Sequence, residues 1–362
     1  MNPLVPEADS PRRTFEANCS ATAIGSFPHN NVDEACQLIL KTIPEIPCWP
    51  QLPKRDMREE MCIQYTEGFP CLKLLPEEKR IFYNNSGDTS APLEAFYEKY
   101  LQEDPSLFPI SENYSIGFPT MLKYIEKTPP AQLRFLKGQI VGPITLAATI
   151  KDTKGMPIIY DETANDAVIK LLSMKACWQL DILSKYKATP IIFADEPSLA
   201  SFGTPFLSIS REKVISSLNE IFDAIHRRGG IAGIHCCANT DWAMLMETTV
   251  DIISFDAFEY MEKLLMYWRE IDSFFKRGGI LAWGIVPTSS EVANVTTKGL
   301  IKKMESGIEY LTGKGIDRQL IRERALITPS CGTGTLTVEE SEKAMFLTAE
   351  VSGILKEKYF NL

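Results

Sequence analysis

An α/β fold, a (β/α)8 barrel with a helical insertion between strands 2 and 3, is what this sequence of 362 residues predicts. Two observations carry the prediction. Short runs rich in Ile, Val and Phe alternate with longer stretches of helical period, the pattern of β/α units around a parallel sheet. Eight such runs can be counted, the number that closes a barrel: residues 21–27, 45–49, 136–141, 190–194, 231–236, 251–255, 279–284 and 325–328.

Taken in order, the first run (ATAIGSF) follows an extension over residues 1–19, and the second (EIPCW) is the weakest of the set. Residues 51–135 then intervene before the third run (LKGQIV), too many for a simple crossover. Helical stretches at 54–67, 92–102 and 119–127 with Pro/Gly joints mark this segment as an insertion or lid over one face of the barrel. No composition shift sets it apart, so residues 20–362 read as one barrel. Amphipathic segments at 161–187, 210–228, 259–277 and 291–314 separate later strands, and 338–359 closes the chain. Two of them end in Arg227-Arg228-Gly229-Gly230 and Lys276-Arg277-Gly278-Gly279, cations near the negative helix terminus with Gly free to take the left-handed cap.

Apolar residues make up 44% and charged residues 23%, an ordinary globular composition. The 38 Lys+Arg against 47 Asp+Glu give a net charge of −9, with no basic block longer than a pair, which argues against nucleic acid as a partner. The first residues lack an apolar signal core, and nowhere do about 18 apolar residues run uninterrupted, so a cytoplasmic protein without a membrane partner is expected. Nine Cys, an odd number thinly spread, point to reduced thiols rather than a disulfide framework.

Function in such a barrel collects at the C-terminal ends of strands, here Ser26, Gly142-Pro143, Asp195-Glu196, His235 to Cys237, Asp256, Gly284 and Cys331. Side chains alternate along a strand, so His235 and Cys237 project to one side and Cys236 to the other. With Cys331 and Asp256 at other strand ends, imidazole, two thiols and a carboxylate would make a set for Zn2+. Asp256 also reads as a helix N-cap, and Glu259 is an alternative oxygen ligand. Of the three His, His226 suits a cation at a helix C-terminus, and His29 reads either as a catalytic contact at the barrel mouth or as an exposed loop residue.

Five motifs, in order, resemble the catalytic barrel of cobalamin-independent methionine synthase, within the uroporphyrinogen-decarboxylase-like superfamily. They are Ile24-Gly25-Ser26-Phe27-Pro28, Gly142-Pro143-Ile144-Thr145, Asp195-Glu196-Pro197-Ser198-Leu199, His235-Cys236-Cys237 and Pro329-Ser330-Cys331-Gly332. The resemblance implies zinc on His235, Cys237 and Cys331, with the family's glutamate falling on Asp256. It implies further that Ile24, Gly25 and Ser26 hold the carboxylate of an amino-acid acceptor and Asp195 its ammonium group. The family's additional N-terminal barrel has no counterpart, a second amine-binding glutamate is unmatched, and no His occurs in Gly284-Ile285-Val286-Pro287-Thr288, where the family carries its proton donor.

A folate amine leaves badly without a proton, whereas cob(I)alamin leaves methylcobalamin without one. The expected activity is therefore zinc-dependent transfer of a methyl group from methylcobalamin, or from a corrinoid protein, to a small thiol, homocysteine first. Alternatives are a corrinoid:coenzyme M-type enzyme, a metal-free decarboxylase using Arg55 and Arg58, and a non-catalytic corrinoid- or zinc-binding accessory protein.

Overall fold

The computed structural model describes residues 15–75 and 80–362; most of the expected N-terminal extension, residues 1–14, lies outside the described residues. Six strands run parallel in chain order: β1 (Phe135–Val141), β2 (Thr189–Asp195), β3 (Ile231–Cys236), β4 (Ile252–Phe255), β5 (Ile280–Val286) and β6 (Ala325–Pro329). Apart from Thr189 every one of these residues is buried, which is why the strands read as continuous apolar runs rather than alternating ones.

The first two runs do not form regular strands. They span the gap between β6 and β1 through single parallel bridges, Ala21 to Ile327, Ser26 to Gln51 and Cys48 to Lys137. The reason lies in their sequence. Pro44, Pro47 and Pro50 have no N–H to give a ladder. The segment is instead tied to β1 by its own carbonyls, Glu45 accepting from Phe135 N–H at 3.1 Å and Pro47 from Lys137 N–H at 2.9 Å. In the first run Gly25 sits at φ +151°, a conformation that L side chains rarely adopt.

Helix starts follow the sequence signals. Asp161 accepts the Ala164 N–H ahead of Glu162–Leu183, Ser210 that of Lys213 ahead of Arg211–Arg227, and Thr337 with Glu340 forms a capping box for Val338–Phe360. Gly229 and Gly278 take positive φ after the two basic helix ends. The single helix expected over 259–277 is two, Met261–Leu265 and Trp268–Lys276, and that over 291–314 begins only at Thr297.

Within the insertion, Ser90–Tyr100 and Gly117–Lys127 are helical as predicted. The stretch at 54–67 holds only a 3-10 turn, Met57–Glu59, and one α-turn, Met61–Gln64. There Asp56 caps the first turn by accepting the Arg58 N–H at 2.9 Å, and Glu60, extended at ψ 135°, separates the two pieces. A small sheet of Leu72–Leu75, Arg80–Tyr83 and Lys151–Asp152 was not anticipated. Tyr65, Phe69, Phe96, Phe108 and Phe118 of the insertion belong to the same buried cluster as Ile140, Phe255 and Trp283 of the sheet. Helix Glu162–Leu183 carries contacts to both parts: Gln179 donates to the Gln139 carbonyl and accepts from Trp49 Nε1, while Lys175 donates to the Pro109 carbonyl at 2.8 Å. Among the described residues no helix is long and apolar enough to cross a membrane.

Burial pushes the Lys175 ammonium down from the ordinary 10.5 to about 8. Between those values the folded chain binds fewer protons than the unfolded one, so stability falls as pH falls through that window. Lys175→Met removes this dependence. The melting temperature of the variant relative to the parent should rise as pH is lowered from about 10 to about 8, and a difference that is flat with pH would refute the burial account.

Candidate metal centre

His235 is the penultimate residue of β3, Cys237 follows that strand, and Cys331 lies two residues beyond β6. One ligand atom from each comes within 4.8 Å of the others. The alternation of strand side chains produces this: Cys236, between the two, is fully buried on the other side, its thiol on the Ala238 carbonyl at 3.4 Å and pushed up to about 12 by burial.

His235 is set by its register partner on β4. Its Nδ1 lies 3.0 Å from Ser254 Oγ, while Nε2 is buried and has no partner. With Nδ1–H donating to Ser254, Nε2 keeps its lone pair free, the tautomer a metal-ligating imidazole needs. The two thiols act on each other. A hydrogen bond from Cys331, together with His235, pulls Cys237 well below the ordinary thiol range, and the same pairing with burial pushes Cys331 up. An imidazole nitrogen and two sulfurs, one already disposed to be a thiolate, form a donor set suited to zinc.

The carboxylates expected with them are not in this group of three. Asp256 Oδ1 accepts the Glu259 N–H at 2.8 Å, so this residue caps the turn after β4, and neither it nor the exposed Glu259 joins the group of three. His29 is buried rather than exposed, 6.3 Å from the Phe27 ring, with no partner on either nitrogen and its pKa lowered by burial; it too stays outside the group. His226 Nε2 lies 2.7 Å from Asp251 Oδ2 near the C-terminal end of helix Arg211–Arg227.

Asp195 ends β2 opposite His235 in register. Its side chain is buried, its Oδ1 has no partner, and burial pushes its pKa up to about 6 against the pull of Lys137 and His235. Its neighbour has a structural role. Glu196 accepts the Ile144 and Thr145 N–H groups, both at 2.8 Å, and the Thr145 hydroxyl at 2.6 Å, capping helix Pro143–Thr149. The Gly142 and Asp195 motifs thus meet in one contact.

The Ile24 and Cys331 motifs meet as well. Ser26 O accepts from Thr333 N–H at 2.9 Å and from the Thr333 hydroxyl at 3.0 Å, and a Cβ on Gly332 would sit 2.0 Å from Ser26 Oγ. A Cβ on Gly25 would crowd Gln51 and Gln139 at 2.8 and 2.9 Å. Behind this turn the buried Lys137 ammonium donates to the Ile24 carbonyl at 2.6 Å. Sequence reasoning missed Lys137, Gln139, Gln51 and Ser254. The signal for Lys137 was available: a Lys in LKGQIV, inside a run otherwise fit for a sheet buried on both faces, is an anomaly to be explained.

No family model matches the sequence, and no curated protein matches it. Solved structures to which the chain is similar include a GH5-4 broad-specificity endoglucanase from Bacteroides salanitronis, with a TM-score of 0.39 and 14% identity over 70% of this chain and 77% of that one. Another is from the tandem GH20 catalytic modules of the pneumococcal exo-β-D-N-acetylglucosaminidase StrH, with a TM-score of 0.42 and 11% identity over 93% of this chain and 85% of that one.

The contact between Gly142 and Glu196 has no slack, since a Cβ at position 142 would lie 2.1 Å from Glu196 Cδ. Gly142→Ala should displace the Glu196 cap and lower unfolding free energy by about 1–3 kcal/mol, measured by denaturant titration. Unchanged stability would mean that the cap shifts without cost.

Proposed function

We propose that this chain is a zinc-dependent methyltransferase similar to the catalytic barrel of cobalamin-independent methionine synthase. It moves a methyl group from a methyl-corrinoid to a small thiol, homocysteine first, in the cytoplasm. The observation that carries the reading is the convergence of His235, Cys237 and Cys331 within 4.8 Å, from strand ends far apart in sequence. The fold we propose is a single (β/α)8 barrel in which residues 21–27 and 45–49 serve as the first two strands and 51–135 are an insertion. The bridges at Ala21, Ser26 and Cys48, which link β6 round to β1, support this.

The donor set fits zinc: an orphaned imidazole nitrogen and two sulfurs, among the described residues a group of three, the number of protein donors in catalytic sites. When bound, zinc would keep an acceptor thiol ionised near neutral pH and so nucleophilic. The protein supplies the rest. Ser254 holds the His235 ring in orientation, the free Asp195 Oδ1 is available to an ammonium group, and the Gly25 and Ser26 N–H groups, which have no partner among the described residues, are available to a carboxylate. The acceptor sulfur forms its bond to the methyl carbon as the cobalt–carbon bond breaks, and the electron pair of that bond stays on cobalt. No proton is needed by the leaving group, in keeping with a loop after β5 that carries Pro287 and Thr288 but no His. The arginines that a decarboxylase would use are engaged locally, Arg55 with Glu59 and Arg58 with Asp56.

Two measurements test this. In metal analysis of the purified protein, Cys237→Ser and Cys331→Ser should each lose bound zinc, whereas Cys236→Ser and Asp256→Asn keep it; zinc at parental content in either of the first two overturns the ligand assignment. In the second, the zinc-loaded protein receives methylcobalamin with homocysteine or coenzyme M, and cobalt absorbance is followed. Thiol-dependent demethylation is expected, fastest with homocysteine, and turnover from methyltetrahydrofolate but not methylcobalamin would overturn the donor.

A further inference from the structure

Lys137 is 1% exposed in the middle of β1, where a cation is costly to hold. No carboxylate lies within ion-pair distance of it among the described residues. Its ammonium is instead shared between the Ile24 carbonyl at 2.6 Å, Gln139 Oε1 at 3.4 Å and the face of the Phe193 ring, 4.5 Å from the centroid. Gln139 is itself pinned, donating to the Trp49 carbonyl at 3.1 Å and accepting at its own carbonyl from Gln179 at 2.9 Å. The ammonium therefore has one rigid place, and its shortest bond goes to a single peptide group.

That peptide joins Ile24 to Gly25. A cation on a carbonyl draws electron density through the amide and makes the N–H on its other side a stronger donor. Here that N–H belongs to Gly25, and among the described residues neither it nor the next one, of Ser26, has a partner. Both N–H groups are thus available to an anion, and Ser26 packs against Gly332, next to Cys331.

We infer that Lys137 is a positioning residue: through the Ile24 carbonyl it fixes and polarises the Ile24-Gly25 peptide, so that the Gly25 and Ser26 N–H groups hold the carboxylate of the acceptor thiol beside Cys331. The inference rests on the proposed function for the acceptor being a thiol. It adds that the hold on the acceptor's carboxylate depends on a charge that never touches it.

The test is binding of thiols to the cobalt(II)-loaded full chain, read from the visible absorption of the metal, with homocysteine and 2-mercaptoethanol titrated separately. Lys137→Met should bind cobalt at the parental stoichiometry and lose about tenfold or more in affinity for homocysteine, while 2-mercaptoethanol, which has no carboxylate, binds as to the parent. Lys137→Arg, which keeps the charge, should recover part of the homocysteine affinity. If Lys137→Met does not fold, Lys137→Gln carries the same comparison. Equal weakening of both thiols, or no change in either, overturns the inference alone. A parent spectrum that responds to no thiol overturns the proposed function, and this inference with it.

Discussion

Pro44, Pro47 and Pro50 have no N–H, so the segment carrying them meets β1 largely through its own carbonyls, those of Glu45, Pro47 and Trp49. Its other side is joined to the first run by two backbone bonds at one residue, Gln51 N–H to the Gly25 carbonyl at 2.9 Å and Phe27 N–H to the Gln51 carbonyl at 2.8 Å, and by the Thr22 hydroxyl on the Ile46 carbonyl at 2.9 Å. A regular strand would spread this junction along a ladder. Here it is concentrated where the polypeptide turns toward Ser26, and the position of that turn relative to β1 is held by side chains: Lys137 on the Ile24 carbonyl, Gln139 on the Trp49 carbonyl. The candidate centre inherits its geometry from this joint on one side and from the regular register of β2, β3 and β4 on the other.

The register side is straightforward. Parallel strands open all their C-terminal ends on one face, and pairing of Asp195 with His235 and of His235 with Ser254 puts a carboxylate, an imidazole and a hydroxyl in a row across three strands. Each has a defined state. Ser254 satisfies Nδ1, which leaves Nε2 for something else, and Asp195 keeps one oxygen without a partner. Buried polar atoms are nearly always bonded. Among the described residues, the orphaned atoms of Asp195 and His235 are on register neighbours, beside the paired thiols of Cys237 and Cys331.

Much of this was legible from residues alone, and what was not has identifiable causes. The six regular strands show in the sequence because burial on both faces forces continuous apolar runs; the first two were expected as strands from the same signal, but Gly25 and three prolines limit them to isolated bridges. His235 and Cys237 follow from period-two alternation. Asp256 was ambiguous in sequence because an N-cap and a metal ligand call for the same residue type at the same strand end, and the bond to Glu259 N–H gives it the first role in this structure. Ser254 could not be found by pattern, since its meaning comes only from the strand beside it. The stretch 54–67 reads as one helix because periodicity does not register a start delayed to the Asp56 cap or an extended residue at Glu60 between the two turns.

The insertion is joined to the sheet by more than apolar contact. Gln51 Nε2 donates to Gln64 Oε1 at 2.6 Å and to the Tyr65 hydroxyl at 3.1 Å, and Gln64 in turn donates to the Tyr114 carbonyl at 2.6 Å. Apolar surfaces tolerate small slides, whereas a buried amide chain has few arrangements in which every member is bonded, and any displacement leaves donors unmet at full desolvation cost. Gln51 is also the residue whose backbone holds Gly25 and Phe27. A shift of the insertion must therefore strain the same residue that fixes the turn next to Cys331, which ties the placement of the insertion to the geometry of the centre through one glutamine.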